Sequence, residues 1–144
     1  MKVDNAIIKV KKHGAKTFWD AVDDLEIMVH ETDLGESICG FFYKRGSGRT
    51  IAVNSRLSEG KKEFVLAHEL GHMIMHSHIK HIHCTKYSIF SNDKMEFEAN
   101  EFAVKFLWRT NSYYSIEEFC NIHELEPKII KDMFGGKMDI DSVL

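Results

Sequence analysis

Apolar residues near the amino terminus recur at the spacing of α-helices. A first helix would cover residues 3–13 and end at Gly14, and a second would run from a cap at Thr17 to Leu25. Asp20 lies three residues after Thr17, where its carboxylate can complete the cap. The apolar positions that would form the inner faces of these helices are Val3, Ala6, Ile7, Val10, Phe18, Ala21, Val22 and Leu25.

The pattern then changes to short β-prone runs separated by turn residues. The glycine-containing connection at residues 45–48 predicts an antiparallel hairpin between the last two runs. We expect a small antiparallel sheet of about three strands, whose exposed edge could accept an extended peptide as an added strand. The predicted strands cover residues 27–29, 37–43 and 50–54.

A helix that is apolar around nearly its whole circumference follows the sheet. Ser58 is a suitable cap, and the helix would end near Met75. Helices that are hydrophobic all round are buried, so we expect this one at the centre of the fold. Another helix is predicted over residues 94–107, and Ser115 with Glu118 would form a capping box at the start of a helical tail.

These elements predict an α+β fold in a single domain over residues 1–144. The tail, residues 112–134, would pack on this domain, and residues 135–144 would be loose. The layout of the tail resembles a helix-turn-helix. Its glutamates outnumber its lysines, however, and an acidic element would repel DNA phosphates.

Composition and charge are those of an ordinary globular chain. Its 144 residues are 44% hydrophobic and 28% charged, and the net charge of −3 comes without the basic patch typical of nucleic-acid binding. We expect no membrane span and no secretory signal. The three cysteines share no close spacing, which favours free thiols and a cytoplasmic location, although Cys84 lies among histidines and could bind metal adventitiously.

The buried helix carries the sequence His-Glu-Leu-Gly-His at positions 68–72. Residues four apart lie on one helix face, so His68 and His72 can bind the same metal ion. Two imidazoles leave coordination positions open, and Glu69 can act there on water as a general base. Core histidines without a metal are the alternative, but polar side chains on such a buried helix need a partner. The sequence therefore predicts a hydrolytic zinc site.

A catalytic zinc site of this kind needs a third protein ligand. His78 has the spacing of the metzincin motif, but Met75 stands where that motif needs glycine. His76 continues the stripe of His68 and His72, but on a straight helix it would lie about 12 Å from His68. A separate, weaker metal site could be formed by His76, His78, His81 and His83.

Helix periodicity instead favours a glutamate of the next helix. Glu98 falls on a stripe of charged residues that would form ion pairs on a solvated face, namely Lys94, Glu98, Glu101 and Lys105. Glu96 falls among small and apolar residues, where a carboxylate needs a cation. Asn100 follows one turn later and could orient a ligand by a hydrogen bond. Glu96 is the predicted ligand, and Glu98 is the alternative because the helix phase is not fixed by the sequence.

The two motifs together resemble the ImmA/IrrE family of zinc metallopeptidases. They are Ala-His-Glu-Leu-Gly-His-Met-Ile-Met-His at residues 67–76 and Glu-Phe-Glu-Ala-Asn-Glu-Phe-Ala at residues 96–103. The resemblance implies a compact zincin-like fold with one zinc ion per chain in a gluzincin-like site. Carried over by position, the metal ligands are His68, His72 and Glu96, and the general base is Glu69.

The resemblance also implies an anti-repressor encoded by a phage or mobile element. Its partner would be a helix-turn-helix transcriptional repressor, which it would cleave or otherwise inactivate. The alternative is a zinc-stabilised protein that inactivates its partner by binding without proteolysis, and a third interpretation is a DNA-binding regulator that uses the tail. A hydrolase would also need a donor to the oxyanion, for which the candidates are Tyr87, Tyr113, Tyr114, His81 and His83.

Overall fold

The computed structural model describes residues 2–12, 17–76, 83–86 and 94–134, and for residues 11–12 and 83–86 it describes the backbone alone. Within these ranges, no helix combines the length and the apolar character that crossing a membrane requires. The mixture of helices with one small sheet confirms the predicted α+β class. In chain order the elements are α1 (Val3–Lys12), α2 (Phe18–Asp24), β1 (Ile27–Thr32), β2 (Ile38–Arg45), β3 (Gly48–Asn54), α3 (Glu59–Met75), β4 (His83–Lys86), α4 (Lys94–Thr110), α5 (Ile116–His123) and α6 (Pro127–Met133).

The strands form one mixed sheet in the order β1-β3-β2-β4. β2 and β3 are the predicted antiparallel hairpin, with Arg45 opposite Gly48 and the left-handed Gly46 (φ +61°) in the turn. β1 pairs in parallel with β3, and β4 pairs antiparallel with the other edge of β2. The prediction of an antiparallel sheet is wrong for β1, which pairs in parallel, and β4 is an antiparallel strand in addition to the three that were predicted. A run of β-prone residues indicates a strand, whereas its neighbour and direction depend on how distant segments pack.

Asn54, the last residue of β3, fixes the connection between β1 and β2. Its side chain is fully buried, and its amide nitrogen donates to the carbonyl groups of Gly35 at 2.8 Å and Ile38 at 2.7 Å. Its side-chain oxygen accepts from the amide of Leu34 at 3.2 Å. These bonds satisfy backbone groups that the sheet ladder does not reach. They stabilise the connection from β1 to β2, which passes the end of β3, the strand that lies between the two in the sheet.

α3 forms the centre of the fold, as its apolar circumference predicts. Its predicted cap is confirmed, since Ser58 Oγ accepts a hydrogen bond from the amide of Lys61 at 3.2 Å. The helix lies against β2 and β3 of the sheet and against α1, α4 and α5. Every residue from Phe64 to Met75 is buried. The largest fully buried apolar side chains include Phe42, Phe64, Phe102, Phe106, Phe119, Ile7, Ile51, Leu70 and Ile130.

α1 packs on α4, and this contact corrects one prediction. Lys105 is only 5% exposed, because its Nζ lies 2.8 Å from Asp4 Oδ1 of α1. The predicted pair with Glu101 is present at 3.6 Å, but the solvated face predicted for it is wrong. Helix periodicity correctly places Glu101 and Lys105 on one face of α4. The burial of Lys105 depends on α1, which lies about a hundred residues earlier in the chain.

α5 is fixed to the first turn of α3 by a buried histidine. His123 Nδ1 donates to the carbonyl of Gly60 at 2.7 Å, so its Nε2 carries the lone pair that accepts from Tyr113 Oη at 2.8 Å. The bond from Tyr113 requires the neutral ring, because a protonated Nε2 has no lone pair to accept with. His123 thus connects α5, the loop before it and α3 in one hydrogen-bonded unit.

Two further helix caps were predicted. Thr17 and Asp20 form the complete capping box at α2, with reciprocal bonds of 3.2 and 3.1 Å. At α5, Ser115 Oγ accepts from the amide of Glu118 at 3.1 Å, but the Glu118 carboxylate bonds the amide of Tyr114 instead of that of Ser115.

The organisation into one domain with a tail at 112–134 stays a prediction, and residues 135–144, predicted to be loose, lie outside the described residues.

Replacing Gly60 by alanine should destabilise the protein. A Cβ at this position would lie 1.7 Å from the carbonyl oxygen of Ile122, so α5 would have to shift. We expect the free energy of unfolding in urea to fall by about 1–3 kcal/mol, typical of overpacking, whereas helix propensity alone would raise it by about 1 kcal/mol. The control is Glu63→Ala at an exposed position of α3, expected to change stability by about 0.5 kcal/mol or less. A Gly60→Ala protein as stable as wild type would contradict this packing.

His123 should protonate less readily in the folded protein than in the unfolded chain. Burial lowers the pKa of His123 below its ordinary value of 6.5, and this effect outweighs the opposing hydrogen bond to Gly60. Since the folded state then binds fewer protons, the contribution of this group to stability is present above pH 6.5 and is lost as the pH falls from 6.5 towards the folded pKa. NMR titration of the His123 ring should give a midpoint below 6.5, and a midpoint above that value would be inconsistent with the neutral ring in the two hydrogen bonds.

Candidate metal centre

α3 and α4 bring three predicted residues side by side. His68 and His72 are completely buried on α3, and Glu96, with a side chain 16% exposed, lies in the first turn of α4. Glu96 Oε2 is 3.1 Å from His68 Nε2, and Glu96 Oε1 is 2.7 Å from His72 Nε2. The two Nε2 atoms are 3.1 Å apart. These three side chains form a group that could hold one metal ion.

Gly71 allows α3 and α4 to approach this closely. A Cβ at Gly71 would lie 2.8 Å from Cδ1 of Phe102 on α4. Glycine inside a helix costs stability, so its presence here is explained by the space that the Phe102 ring occupies. Sequence reasoning missed this role, although a glycine in the middle of a buried helix was the available indication.

Asn100 determines which nitrogen of His68 carries the proton. Its Oδ1 lies 2.7 Å from His68 Nδ1, and because an amide oxygen can only accept, Nδ1 must donate. The hydrogen bond predicted for Asn100 is therefore present. In the neutral ring, Nε2 then presents its lone pair towards Glu96 and His72.

The donor set fits a divalent metal ion. The lone pair of His68 Nε2 faces a Glu96 carboxylate oxygen at 3.1 Å, a contact between two acceptors that a metal ion or a proton between them would relieve. Bonds of 2.0–2.1 Å in a tetrahedral site place neighbouring ligand atoms about 3.3 Å apart. The observed separations of 2.7 to 3.1 Å are close to that distance. Two imidazoles and one carboxylate are a donor set suited to zinc.

Glu69 follows His68 on α3 and is completely buried. The helical repeat places it about 100° around the axis from His68, beside the three clustered side chains rather than among them. Burial raises the pKa of Cys39 on β2 to about 11, and the Glu69 carboxylate adds to this rise while Lys61 opposes it. Cys39 is therefore a protonated thiol near neutral pH, and Glu69 is a buried carboxylate that follows a clustered histidine on the same helix.

Glu98 and His76, the alternative ligands, lie outside this cluster. His76 is 5% exposed, and its Nδ1 lies 2.9 Å from His72 Nδ1, the ring nitrogen that does not contact Glu96. Glu98 Oε2 lies 3.8 Å from His76 Nε2. The helix phase of α4 therefore directs Glu96 to the histidines of α3 and Glu98 to His76, the residue that caps α3.

The candidates for oxyanion stabilisation have different positions. The Tyr113 hydroxyl is bound to His123, and burial raises the pKa of Tyr113, so this side chain has a structural contact. Tyr114 is 98% exposed. His83 belongs to β4, of which the backbone alone is described, as does Cys84. Outside the described residues lie His78, His81 and Tyr87.

Comparison with known proteins agrees with the family predicted from the two motifs. Residues 22–124 match the model of the Peptidase_M78 family, described as the IrrE N-terminal-like domain. The chain is 32% identical over 111 residues to uncharacterized immunity region protein 2 of Bacillus phage phi105, covering 75% of this chain and 70% of that protein. It is 28% identical over 95 residues to metallopeptidase ImmA of Bacillus subtilis (strain 168), covering 65% of this chain and 55% of that relative. The chain belongs to the ImmA/IrrE family of metallopeptidases.

Proposed function

We propose that this chain is a zinc-dependent metalloendopeptidase that inactivates a helix-turn-helix transcriptional repressor by cleaving it. The observation that carries the proposal is the convergence of His68 Nε2, His72 Nε2 and the Glu96 carboxylate at separations of 2.7 to 3.1 Å. One zinc ion per chain is the cofactor. The catalytic unit is a single domain, with residues 112–134 as a helical tail packed on it.

The roles of the side chains follow from their chemistry. His68, His72 and Glu96 would hold the ion, and Asn100 keeps His68 in the tautomer that can bind through Nε2. A zinc ion held there would supply Lewis-acid chemistry, lowering the pKa of a bound water and polarising the scissile carbonyl. Glu69 accepts the proton of the attacking water at its carboxylate and returns it to the leaving amine. The buried surroundings of Glu69 strengthen its electrostatic interaction with the reacting groups.

Support for a repressor as the substrate comes from the relatives and from charge. One relative is named an immunity region protein of a phage, and another is named metallopeptidase ImmA. A repressor that binds DNA presents a basic surface, whereas the exposed residues of α5, α6 and their connection include Glu117, Glu124 and Glu126. This acidic surface is suited to contacting the repressor and unsuited to binding DNA. A repressor substrate places the activity in the cytoplasm.

Burial of the cluster favours one alternative function. Structural zinc sites are closed, and both histidines here are completely buried while the Glu96 side chain is 16% exposed. In this alternative, zinc stabilises the contact between α3 and α4, and the protein inactivates its repressor by docking alone. Cleavage and docking are separated by a variant that keeps the metal and loses the general base.

Zinc binding should depend on each of the three clustered side chains. We expect about one zinc ion per chain in the purified protein. Glu96→Gln or His72→Ala should weaken binding about 100-fold or more, because the roughly 10–16 kcal/mol of a zinc site is shared among few ligands. Competition with a chromophoric chelator measures the affinity. Glu101→Gln on the same helix is the control expected to retain zinc, and equal retention by Glu96→Gln would contradict the assignment.

Glu69→Gln should abolish cleavage while leaving zinc and docking intact. The protein would be incubated with the product of its neighbouring gene, with and without chelator, and cleavage products would be identified by mass spectrometry. Loss of a general base typically lowers the rate about 10²- to 10⁴-fold. Glu63→Gln, an exposed glutamate of the same helix, is the matched control and should cleave as wild type does. Repressor inactivation that persists in Glu69→Gln without any cleavage would favour the docking alternative.

A further inference from the structure

The carboxyl end of α3 carries a second hydrogen-bonded arrangement beside the metal centre. His76 caps the helix and is 5% exposed, and its Nδ1 lies 2.9 Å from His72 Nδ1. On the other side of the His76 ring, Nε2 lies 3.8 Å from Glu98 Oε2, an electrostatic contact beyond hydrogen-bond distance. A line of polar groups thus runs from Glu96 through His72 and His76 to Glu98.

The donors and acceptors along this line are determined by the metal-binding end. His72 Nε2 faces Glu96 Oε1 at 2.7 Å and His68 Nε2 at 3.1 Å, and it must present a lone pair to bind an ion there. The proton of the neutral His72 ring is then on Nδ1. A 2.9 Å contact between two Nδ1 atoms needs one donor and one acceptor, so His76 Nδ1 accepts. The His76 proton is therefore on Nε2, the nitrogen that faces the Glu98 carboxylate.

We propose that His76 and Glu98 are positioning residues that hold His72 in the tautomer that binds metal through Nε2. This inference rests on the proposed zinc site. His76 does for His72 what Asn100 does for His68, so each ligand histidine has its own acceptor at Nδ1. Phe42, which stacks on His72 with ring centroids 5.8 Å apart, fixes the plane of the ring but not the position of its proton.

This role also accounts for the two side chains that sequence reasoning offered as ligands. His76 contacts His72 through the nitrogen that does not face Glu96, so it supports a ligand instead of replacing one. Glu98 lies at the edge of an open cleft of about 680 Å³ that both residues line, and its side chain is 23% exposed. The Glu98 side chain remains partly in solvent. Glu98→Gln therefore removes its charge without leaving an unpaired polar group in the core.

The test compares zinc affinities of His76 variants by competition with a chelator. His76→Leu removes the acceptor and should weaken zinc binding about 10- to 100-fold, the usual effect of losing such a partner. His76→Asn places an amide oxygen near the position of Nδ1 and should recover most of the affinity. Glu98→Gln should weaken binding less than His76→Leu, and Glu101→Gln on the same helix should leave it unchanged. Equal zinc affinities in wild type, His76→Leu and His76→Asn would overturn the inference.

A second measurement needs no variant. In the zinc-loaded wild-type protein, ¹⁵N NMR of the histidine rings should show the proton of His72 on Nδ1 and that of His76 on Nε2. Protonation of His72 on Nε2, or zinc bound by His76 itself, would overturn the inference while leaving a zinc site in place. A wild-type protein that binds no zinc would instead refute the proposed function, and the inference with it.

Discussion

Electron-pair donors from two helices face one another in the interior of this protein, in an arrangement that could hold one metal ion. His68 and His72 are completely buried, and their Nε2 atoms lie within 3.1 Å of each other and of the Glu96 carboxylate. A metal ion or a proton among these atoms would offset the cost of burying their lone pairs. If an ion is bound there, it would contribute both to the contact between α3 and α4 and to the proposed chemistry.

The rest of the structure holds the two helices at the separation that this interaction needs. Gly71 lets the Phe102 ring approach α3, and Asn100 on α4 accepts a hydrogen bond from Nδ1 of His68. The sheet supports α3 from β2 and β3, with Asn54 fixing the strand connection. Residues far from the metal centre thus act on it through the position of α3.

Local sequence patterns predict the parts of the site that depend on helical geometry. The four-residue spacing of His68 and His72 gives their common face, and the stripe of small residues around Glu96 separates it from Glu98. Their role as metal ligands stays a prediction. The parallel pairing of β1 with β3, the burial of Lys105 under α1 and the contact of Glu118 with Tyr114 were not predicted. The strand pairing and the burial of Lys105 depend on tertiary packing, and the bond of Glu118 depends on a competing local backbone group. The spacing of residues along the chain determines neither.

The central claim is that one divalent ion is bound jointly by side chains of α3 and α4. X-ray absorption at the zinc edge of the loaded protein tests it most directly, because it reports the number and kind of ligand atoms. Two imidazole nitrogens and oxygen ligands at about 2.0–2.2 Å are the predicted result. A sulfur ligand at about 2.3 Å, as binding by Cys84 would give, or a single imidazole would contradict the account.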